Sequence, residues 1–303
     1  MKKLIGLSFV VFTTIAANAE TRYQFWTISV PGSAPHATLP LGINNQDVIA
    51  GYYLDNKAFV WHGFTYDANK KVWVYPIDYP DANGTFATSI NDSGELAGYF
   101  AGLSSTTEGM LDFGGAFSFE LVPCPFFVSI QTNGVNNAGY TAGGCQQDAL
   151  VGSGSLSWVW AQGNAVIFGC PTNGVSSTAN AINNKGQVVG WYAVGSVVGG
   201  YLANYNGSCV TEVHFPGTAY TNLTGINDDG WAIGTGSSPN SPDVGFFYNT
   251  SSGQFTAITP PSGAVNGVAA MGLNNSGSWV GWYFDENNNA VAFYATPPLV
   301  FHP

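Results

Sequence analysis

From residue 20 onward, short runs of apolar, aromatic and β-branched residues alternate with turn residues, and none of the runs has the spacing of an amphipathic helix. In one representative stretch, four runs predict four short strands: Phe86 to Asn91, Glu95 to Phe100, Gly115 to Glu120 and Phe126 to Gln131. Four strands in about 45 residues, without a crossover helix, are typical of a propeller blade. The pattern therefore predicts an all-β protein made of four-stranded repeat units.

The units are marked by a phrase that occurs six times: an apolar residue, then Asn, then Asn or Asp, with a glycine in the fifth position of five copies. A second glycine follows four residues later in every copy. The copies cover residues 43–51, 90–98, 135–143, 182–190, 226–234 and 273–281. One copy for each blade predicts six blades. Asp47 takes the place of the first glycine and makes the first copy atypical.

The phrase suits a tight turn between the first and second strands of a blade, because Asn and Gly tolerate a positive φ better than other residues. In four copies the second glycine precedes two aromatic residues. Neighbouring side chains of a strand point to opposite faces, so we expect one member of each pair to pack between blades. The pairs are Tyr52-Tyr53, Tyr99-Phe100, Trp191-Tyr192 and Trp282-Tyr283.

The last copy of the repeat is one strand short. Only three strand-like runs belong to it, Val268 to Leu273, Ser278 to Phe284 and Ala290 to Ala295. An unassigned segment, Tyr23 to Gly32, precedes the first copy and has the pattern of a fourth strand. We therefore predict an all-β, six-bladed β-propeller of four-stranded blades over residues 20–303, in which the N-terminal strand closes the last blade and removes two exposed sheet edges.

The Ile-Asn-Asn-x-Gly turn, a Gly-Trp-Tyr strand and a following His-Ala-Phe-like strand resemble the HAF-repeat group of extracellular proteins over the mature chain. The third element occurs at His62-Gly63-Phe64, Gly115-Ala116-Phe117, Gly245-Phe246-Phe247 and Val291-Ala292-Phe293, and in weaker form at Leu156-Ser157-Trp158 and Gly200-Tyr201-Leu202. The resemblance implies propeller-type repeats. It implies no catalytic residues.

The two faces of such a propeller differ in sequence. The Asn-rich turns on one face are nearly identical, whereas the loops between the second and third strands, on the other face, vary in length and composition. Variable loops on a constant scaffold are where binding sites usually lie. We predict a ligand site on this face that draws on Asp55, His62, Glu108, Asp112, Asp148, Asp243 and Asp285.

Acids beside aromatic side chains suit a neutral or cationic glycan, a peptide or a calcium ion. The alternative interpretation is that the acids are only solvated surface charges. No cofactor is predicted, with calcium as the alternative.

The first 19 residues have the order of a secretory signal peptide: Lys2 and Lys3, an uncharged apolar run, then Ala17-Asn18-Ala19. No later run is long enough to span a membrane. The formal net charge of −11 becomes −13 without the two lysines, so nucleic acid is a poor partner. We expect a secreted, extracellular monomer, with the periplasm as the alternative location.

Four cysteines in an exported chain predict disulfides, and four cysteines allow three connectivities. None is part of a CxxC pair, so a zinc or redox site is disfavoured. We expect Cys145 to pair with Cys170, since both follow strands that end on the same face of one blade.

Three functions remain open. A module that binds a carbohydrate or a protein surface fits the variable loops and the absence of a catalytic triad, phosphate loop or nucleophile elbow. A polysaccharide lyase or glycosidase on the same face is the first alternative, by analogy of fold alone. A structural or adhesion protein without a small-molecule site is the second.

Overall fold

The computed structural model describes residues 23–102, 106–112, 114–119, 124, 127–147, 154–172 and 176–297. The predicted signal peptide lies outside the described residues. Within the described ranges the protein consists of 24 strands joined by turns and loops, and none of these residues forms a helix. The prediction of an all-β protein is confirmed.

Strand β1 (Gln24–Thr27) comes first. Unit 1 contains β2 (Ser33–Ile43), β3 (Val48–Asp55), β4 (Trp61–Asp67) and β5 (Val72–Ile77); unit 2 contains β6 (Gly84–Ile90), β7 (Leu96–Ala101), β8 (Thr107–Asp112) and β9 (Phe117–Phe119). Unit 3 contains β10 (Phe127–Val135), β11 (Thr141–Gln147), β12 (Ser155–Ala161) and β13 (Asn164–Phe168); unit 4 contains β14 (Ser176–Ile182), β15 (Gln187–Val194), β16 (Val197–Asn204) and β17 (Cys209–Val213). Unit 5 contains β18 (Tyr220–Ile226), β19 (Trp231–Ser238), β20 (Ser241–Asn249) and β21 (Phe255–Ala257), and unit 6 contains β22 (Val268–Leu273), β23 (Trp279–Phe284) and β24 (Ala290–Thr296).

Successive strands within each unit pair antiparallel, so the units are four-stranded sheets. Unit 6 obtains its fourth strand from the N-terminal part of the chain, because β1 pairs with β24 from Gln24 opposite Thr296 to Thr27 opposite Phe293. A single parallel bridge between Trp61 and Gly84 joins units 1 and 2. Equivalent bridges join unit 4 to unit 5 and unit 5 to unit 6.

The first strand of each unit contacts the first strands of the two neighbouring units, and β22 contacts β2 in the same way. Small residues permit this approach: a Cβ added to Gly42 would lie 2.8 Å from the Cα of Ser89. Each first strand also contains a bulge, and polar side chains at the bulges bond to the next unit. Thr88 donates to the carbonyl of Thr132 at 2.8 Å, and Asn133 donates to that of Ala179 at 2.9 Å.

The first Asn of the repeat joins all six copies. Each Nδ2 donates to the backbone carbonyl of the equivalent Asn one unit further on, at 2.9 to 3.2 Å. The order is Asn44, Asn91, Asn136, Asn183, Asn227, Asn274 and back to Asn44.

Each Oδ1 of these asparagines accepts two N–H groups of its own turn, as in the bonds from Gln46 and Val48 to Asn44. The positive φ expected for the Asn belongs instead to the following glycine, such as Gly94, or to Asp47. The first Asn is therefore required for its side-chain amide and not for its backbone conformation.

The second polar residue of the repeat forms an outer set of bonds in which each of two carboxylates lies between two amides. Asp228 accepts the N–H and the Nδ2 of Asn184, both at 2.8 Å, and the Nδ2 of Asn275 at 2.7 Å. Asp92 has the equivalent place between Asn45 and Asn137. A carboxylate can accept all of these bonds, whereas an amide offers only one acceptor oxygen.

We expect Asp228→Asn to lower the free energy of unfolding by roughly 1 to 3 kcal/mol at pH 7. Partial burial alone would raise the pKa of Asp228, but hydrogen bonds from Asn275 and Asn184 outweigh it and lower the pKa below its ordinary value. This stabilisation is present above the unfolded pKa of about 3.9 and is lost as the pH falls through the folded-state pKa. Urea unfolding should therefore show a difference between the variant and the wild type that is constant from pH 7 to about pH 4 and shrinks as the pH falls further toward the folded-state pKa.

The matched control for this experiment is Asp81→Asn, at an exposed carboxylate. It should leave the free energy of unfolding within about 0.5 kcal/mol of the wild type. A difference between Asp228→Asn and the wild type that stays constant down to pH 3 would contradict the assignment.

The second repeat glycine is required by packing. A Cβ on Gly51 would collide with the carbonyl oxygen of Leu39 and with the ring of Phe64, and in each of the other five copies it would collide with the equivalent carbonyl oxygen. The Phe64 ring belongs to the His-Ala-Phe-like strand and is fully buried. Unit 2 differs from the prediction: Met110 in β8 takes this place, so Gly115-Ala116-Phe117 leads into the fourth strand, and Phe126 to Gln131 overlaps β10 of the next unit.

The predicted pairing of Cys145 with Cys170 is wrong. Cys145 lies in β11 and Cys170 follows β13, and the intervening β12 places their strands about 10 Å apart, which exceeds the Cα separation of a disulfide. Cys124 bonds to Cys145 with 6.4 Å between Cα atoms, and Cys170 bonds to Cys209 of unit 4 with 5.7 Å. Two disulfides indicate an oxidising compartment, extracellular or periplasmic.

Candidate functional site

The predicted site residues divide between the two faces. Glu108, Asp243 and Asp285 lie at the loops between second and third strands, as expected, with Asp55 and His62 at the same loop of unit 1. Asp112 does not. It ends β8 opposite Leu96 and accepts the N–H of Gly115 at 2.6 Å, which places it on the face of the Asn turns and removes it from the predicted site. Asp148 lies outside the described residues.

Asp55 and His62 come together in unit 1 with Asp78 and Tyr53. His62 Nδ1 lies 2.5 Å from Asp78 Oδ1, and burial, together with the charges of Asp55 and Asp78, raises the pKa of Tyr53 to about 12. Asp55 itself accepts the N–H groups of Ala58 and Lys57, which hold its pKa below the ordinary value. These bonds tie Asp55 to its own turn.

Asp285 has the same turn-capping role in unit 6, where the N–H of Asn289 is the first of several donors that lower its pKa. Glu108 is exposed, and its charge adds to burial in raising the pKa of Tyr79. Across the ranges that the structure describes, no three His, Cys, Asp or Glu side chains are grouped so as to hold a metal ion. Of the predicted acids that the structure describes, Asp243 alone lines a cavity with aromatic side chains.

That cavity, which we call the aromatic groove, has a volume of about 380 Å³ and extends over units 4, 5 and 6. Trp191 and Trp282 are half-buried, Tyr220 is 40% exposed, and neither indole contacts another aromatic ring of the described residues. The groove is defined by Trp191, Val198, Tyr220, Thr221, Asn222, Thr224, Thr235, Ser237, Asp243, Ala269, Met271, Trp282 and Phe284.

The groove opens where the repeat departs from its own pattern. The residue after the second repeat glycine lies opposite a residue of the first strand, and we call these two residues the inner pair. The inner pairs, in unit order, are Leu39 and Tyr52, Phe86 and Tyr99, Gln131 and Gly144, Thr178 and Trp191, Asn222 and Thr235, and Ala269 and Trp282.

In units 1 and 2, the aromatic members of the inner pairs pack against one another and fill the space between the two units. Phe86 lies 5.0 Å from Tyr52 and 4.9 Å from Tyr99 between ring centroids, and Trp61 packs on Tyr52 at 5.3 Å. Burial raises the pKa of both tyrosines. In units 3 and 5 an amide faces glycine or threonine, so no ring fills the space and the indoles of units 4 and 6 border a cavity.

Polar groups of the groove are held by hydrogen bonds. Asn222 Oδ1 accepts from Asn180 Nδ2 at 2.8 Å, so the Asn222 amide is oriented with its own Nδ2 on the other branch. Thr235 Oγ1 accepts the N–H of Ala270 at 3.1 Å. The backbone of Asp243 is fixed by its parallel bridge to Gly267. Rigid platforms with a few oriented polar groups are typical of small-molecule sites.

A second cavity, of about 310 Å³, lies on the other side of Trp191, between units 3 and 4. It contains Gln131 and Gly144, the inner pair of unit 3, together with Ser155. Ser155 Oγ is 3.2 Å from the hydroxyl oxygens of Ser176 and Thr178. Trp191 thus borders both cavities.

Two other cavities lie on the side of the Asn turns. A space of about 70 Å³ lies within the circuit of repeat asparagines and is too small for an organic ligand. A larger space of about 820 Å³ lies beside Tyr23 and Phe247 on the side of the Asn turns. The two rings stack on each other at 5.7 Å and both contact Trp279, so they belong to the packing between units 5 and 6.

The sequence analysis named both indoles as members of aromatic pairs but missed Gln131, Asn222, Gly144 and Thr235. The signal was present: alignment of the six copies at the residue after the second glycine shows four aromatic residues and two exceptions. The prediction concentrated on acids, and three of these, Asp55, Asp112 and Asp285, cap turns.

No membrane-spanning helix is found in the part of the chain that the structure describes. No protein family model matches the chain, and no curated protein is significantly similar to it.

Solved structures with the same fold do match. TolB from Acinetobacter baumannii has a TM-score of 0.55 at 10% identity, covering 82% of this chain and 63% of TolB, so the chain spans less than two thirds of that protein. The propeller domain of the Trilobed protease from Pyrococcus furiosus matches with a TM-score of 0.52 at 13% identity, covering 86% of this chain and 81% of that domain. The Aleuria aurantia lectin in complex with Fucα1-6GlcNAc matches with a TM-score of 0.51 at 11% identity, covering 88% of this chain and 100% of the lectin. The likeness shows that this chain has the β-propeller fold.

Proposed function

We propose that the protein is a closed propeller of six blades, one for each repeat unit, in which β1 completes the last blade. The circuit of six asparagines, which returns from Asn274 to Asn44, supports this count, since an open array would leave the last amide without its acceptor. The contact between β22 and β2 supports it as well.

We propose further that the protein is a secreted module that binds a glycan in the aromatic groove. One observation carries this proposal: Trp191 and Trp282 border a cavity in which Asn222 and Asp243 supply hydrogen-bonding groups. Sugar rings have faces of C–H groups and edges of hydroxyl groups. The indole faces can pack against the C–H faces of a sugar ring, and the amide and the carboxylate can form hydrogen bonds with its hydroxyl groups.

Charge and the number of acids favour this function over the alternatives. The described residues that line the groove include no Lys, Arg or His, so an anionic polymer finds no counter-charge there. Asp243 is the single carboxylate among them, whereas a glycosidase needs two carboxyl groups about 5 to 10 Å apart. Binding without hydrolysis is what this lining supports. Among propellers of similar fold, the Aleuria lectin was solved with a fucosylated disaccharide, so the fold is compatible with sugar binding.

A glycan array with the purified mature protein is the direct test, and we expect retention of neutral glycans. An array without any bound glycan, combined with capture of a defined extracellular protein, would replace this proposal with recognition of a protein surface.

We expect Trp282→Ala to weaken binding of an array-selected glycan at least ten-fold, as measured by calorimetry, because the groove loses one of its two indole platforms. Trp26→Ala is the matched control, since Trp26 is 56% exposed on β1, outside the groove. Its affinity should equal that of the wild type. Equal loss in the two variants, or in neither, would refute the assignment of the groove.

Asp243→Asn should reduce affinity by a smaller factor, about three- to ten-fold, because the amide still accepts one hydrogen bond from a hydroxyl group. The control is Glu286→Gln, at an exposed acid of the neighbouring loop. An unchanged affinity in Asp243→Asn would show that the carboxylate does not contact the ligand.

A further inference from the structure

We infer that the aromatic groove is one of two adjoining subsites, separated by Trp191, and that the ligand is an N-acetylated glycan chain of at least two sugar rings. This inference rests on the proposed function and specifies its substrate class.

The two cavities share one wall. Trp191 lines both the groove and the cavity of about 310 Å³ between units 3 and 4. Its strand fixes its position from both sides, since Trp191 lies opposite Thr178 on β14 and opposite Gly200 on β16. Each cavity alone is near the lower end of the range for small-ligand sites, which is about 300 to 1,000 Å³. A ligand of several rings can occupy both by passing the indole.

The two subsites are chemically alike because they occupy equivalent places in alternate units. Gln131 faces Gly144 in unit 3, and Asn222 faces Thr235 in unit 5. In each case a residue with a carboxamide lines a cavity that Trp191 also borders, whereas units 1 and 2 have packed rings at the equivalent places. Repetition of one arrangement in neighbouring units is suited to a ligand that is itself a repeat.

A carboxamide beside an indole suits an acetamido sugar. The acetamido group can exchange N–H and C=O hydrogen bonds with Gln131 or Asn222, while its methyl group and the C–H face of the ring pack on the indole. Neutral sugars also agree with a lining that has no cationic side chain among its described residues. The probe that suits this inference is a β-1,4-linked N-acetylglucosamine chain, in which all ring substituents are equatorial and the ring faces are flat.

The experiment is calorimetric titration of the full mature protein with N-acetylglucosamine oligomers of one to six rings. We expect affinity to rise at least ten-fold from one ring to three, and then to level once both subsites are filled. Trp191→Ala should abolish binding of every oligomer.

Gln131→Ala should lower the affinity for the trimer to near that of the single ring, and leave the single ring unaffected, since Asn222 remains. Gly144→Trp, which places in unit 3 the residue found in units 4 and 6, should act in the same way by filling the cavity. A Cβ at Gly144 would lie 2.8 Å from Thr178 Cγ2, so Gln131→Ala serves as the independent variant if Gly144→Trp does not fold. Gln254→Ala, at an exposed glutamine outside both cavities, is the control.

The outcomes separate the two levels of the proposal. A single ring that binds as tightly as the hexamer overturns the pair of subsites and leaves glycan binding intact. Binding of a different array-selected glycan, with none of these oligomers, overturns the sugar class alone. An empty array together with no binding of any oligomer overturns the proposed function itself.

Discussion

Removal of residues 23–32 should abolish cooperative folding of this protein. The segment supplies β1, the outer strand of unit 6, and Phe25 packs edge-on against Trp279 at 5.8 Å and against Phe293 at 5.2 Å. Its continuation buries Ile28 and Val30 in the cluster shared by units 6 and 1. Burial of a large apolar side chain contributes about 1.5 to 3 kcal/mol, so loss of these three removes roughly 4 to 9 kcal/mol, a large part of the stability of a typical domain.

Circular dichroism during heating measures this effect: we expect a broad, low transition in the deletion variant and a sharp one in the wild type. A synthetic peptide of residues 20–32, added in excess, should restore the sharp transition by pairing with β24 in trans. Trp26→Ala is the control, because that side chain points to solvent on the same strand. A deletion variant with the wild-type midpoint would show that β1 does not hold units 6 and 1 together.

Asn136→Ala should destabilise the protein by about 3 to 5 kcal/mol. The side chain is 4% exposed, donates to the carbonyl of Asn183 at 3.0 Å, and accepts the N–H groups of Ala138 and Tyr140. Each buried hydrogen bond contributes about 1 kcal/mol net, and the groups left without a partner add a desolvation cost of about 1 to 3 kcal/mol. The midpoint of urea unfolding at pH 7 reports the change.

Asn136→Asp separates the two functions of this amide. Aspartate keeps the oxygen that accepts the turn N–H groups but replaces the donor to Asn183 with a second oxygen, which would face that carbonyl. We expect a loss comparable to that of the alanine variant. Asn206→Ala, at an exposed asparagine, should change the free energy of unfolding by less than about 1 kcal/mol. Wild-type stability in Asn136→Asp would show that the bond to the next unit is dispensable.

The repeat alone was sufficient to predict the all-β architecture, the positions of the Asn turns and the pairing partner of β1. These features depend on local requirements. A glycine such as Gly94 is needed for its positive φ, and Gly51 is needed because no Cβ fits between the first strand and the ring of Phe64. Requirements of this kind recur wherever the backbone repeats, so they are visible as a period.

The third strand of unit 2 was assigned wrongly because it does not have the local composition that marks the other third strands. In unit 2 the third strand, β8, contains Glu108, Gly109 and Asp112 and lacks the aromatic residues that marked third strands elsewhere. Its neighbours across the sheet determine its conformation more than its own composition does. That error also placed Asp112 on the wrong face.

By itself, the sequence determined what each unit must be, because turns, bulges and glycine contacts are decided within about 45 residues. Only the tertiary structure decided which side chains of different units meet. The partners of Cys145 and Cys170 depend on which strand lies between them, and the groove depends on Trp191, Asn222 and Trp282, which come from three different units. Contacts between side chains distant in sequence are set by the packing of one sheet on the next, and no local pattern specifies that packing.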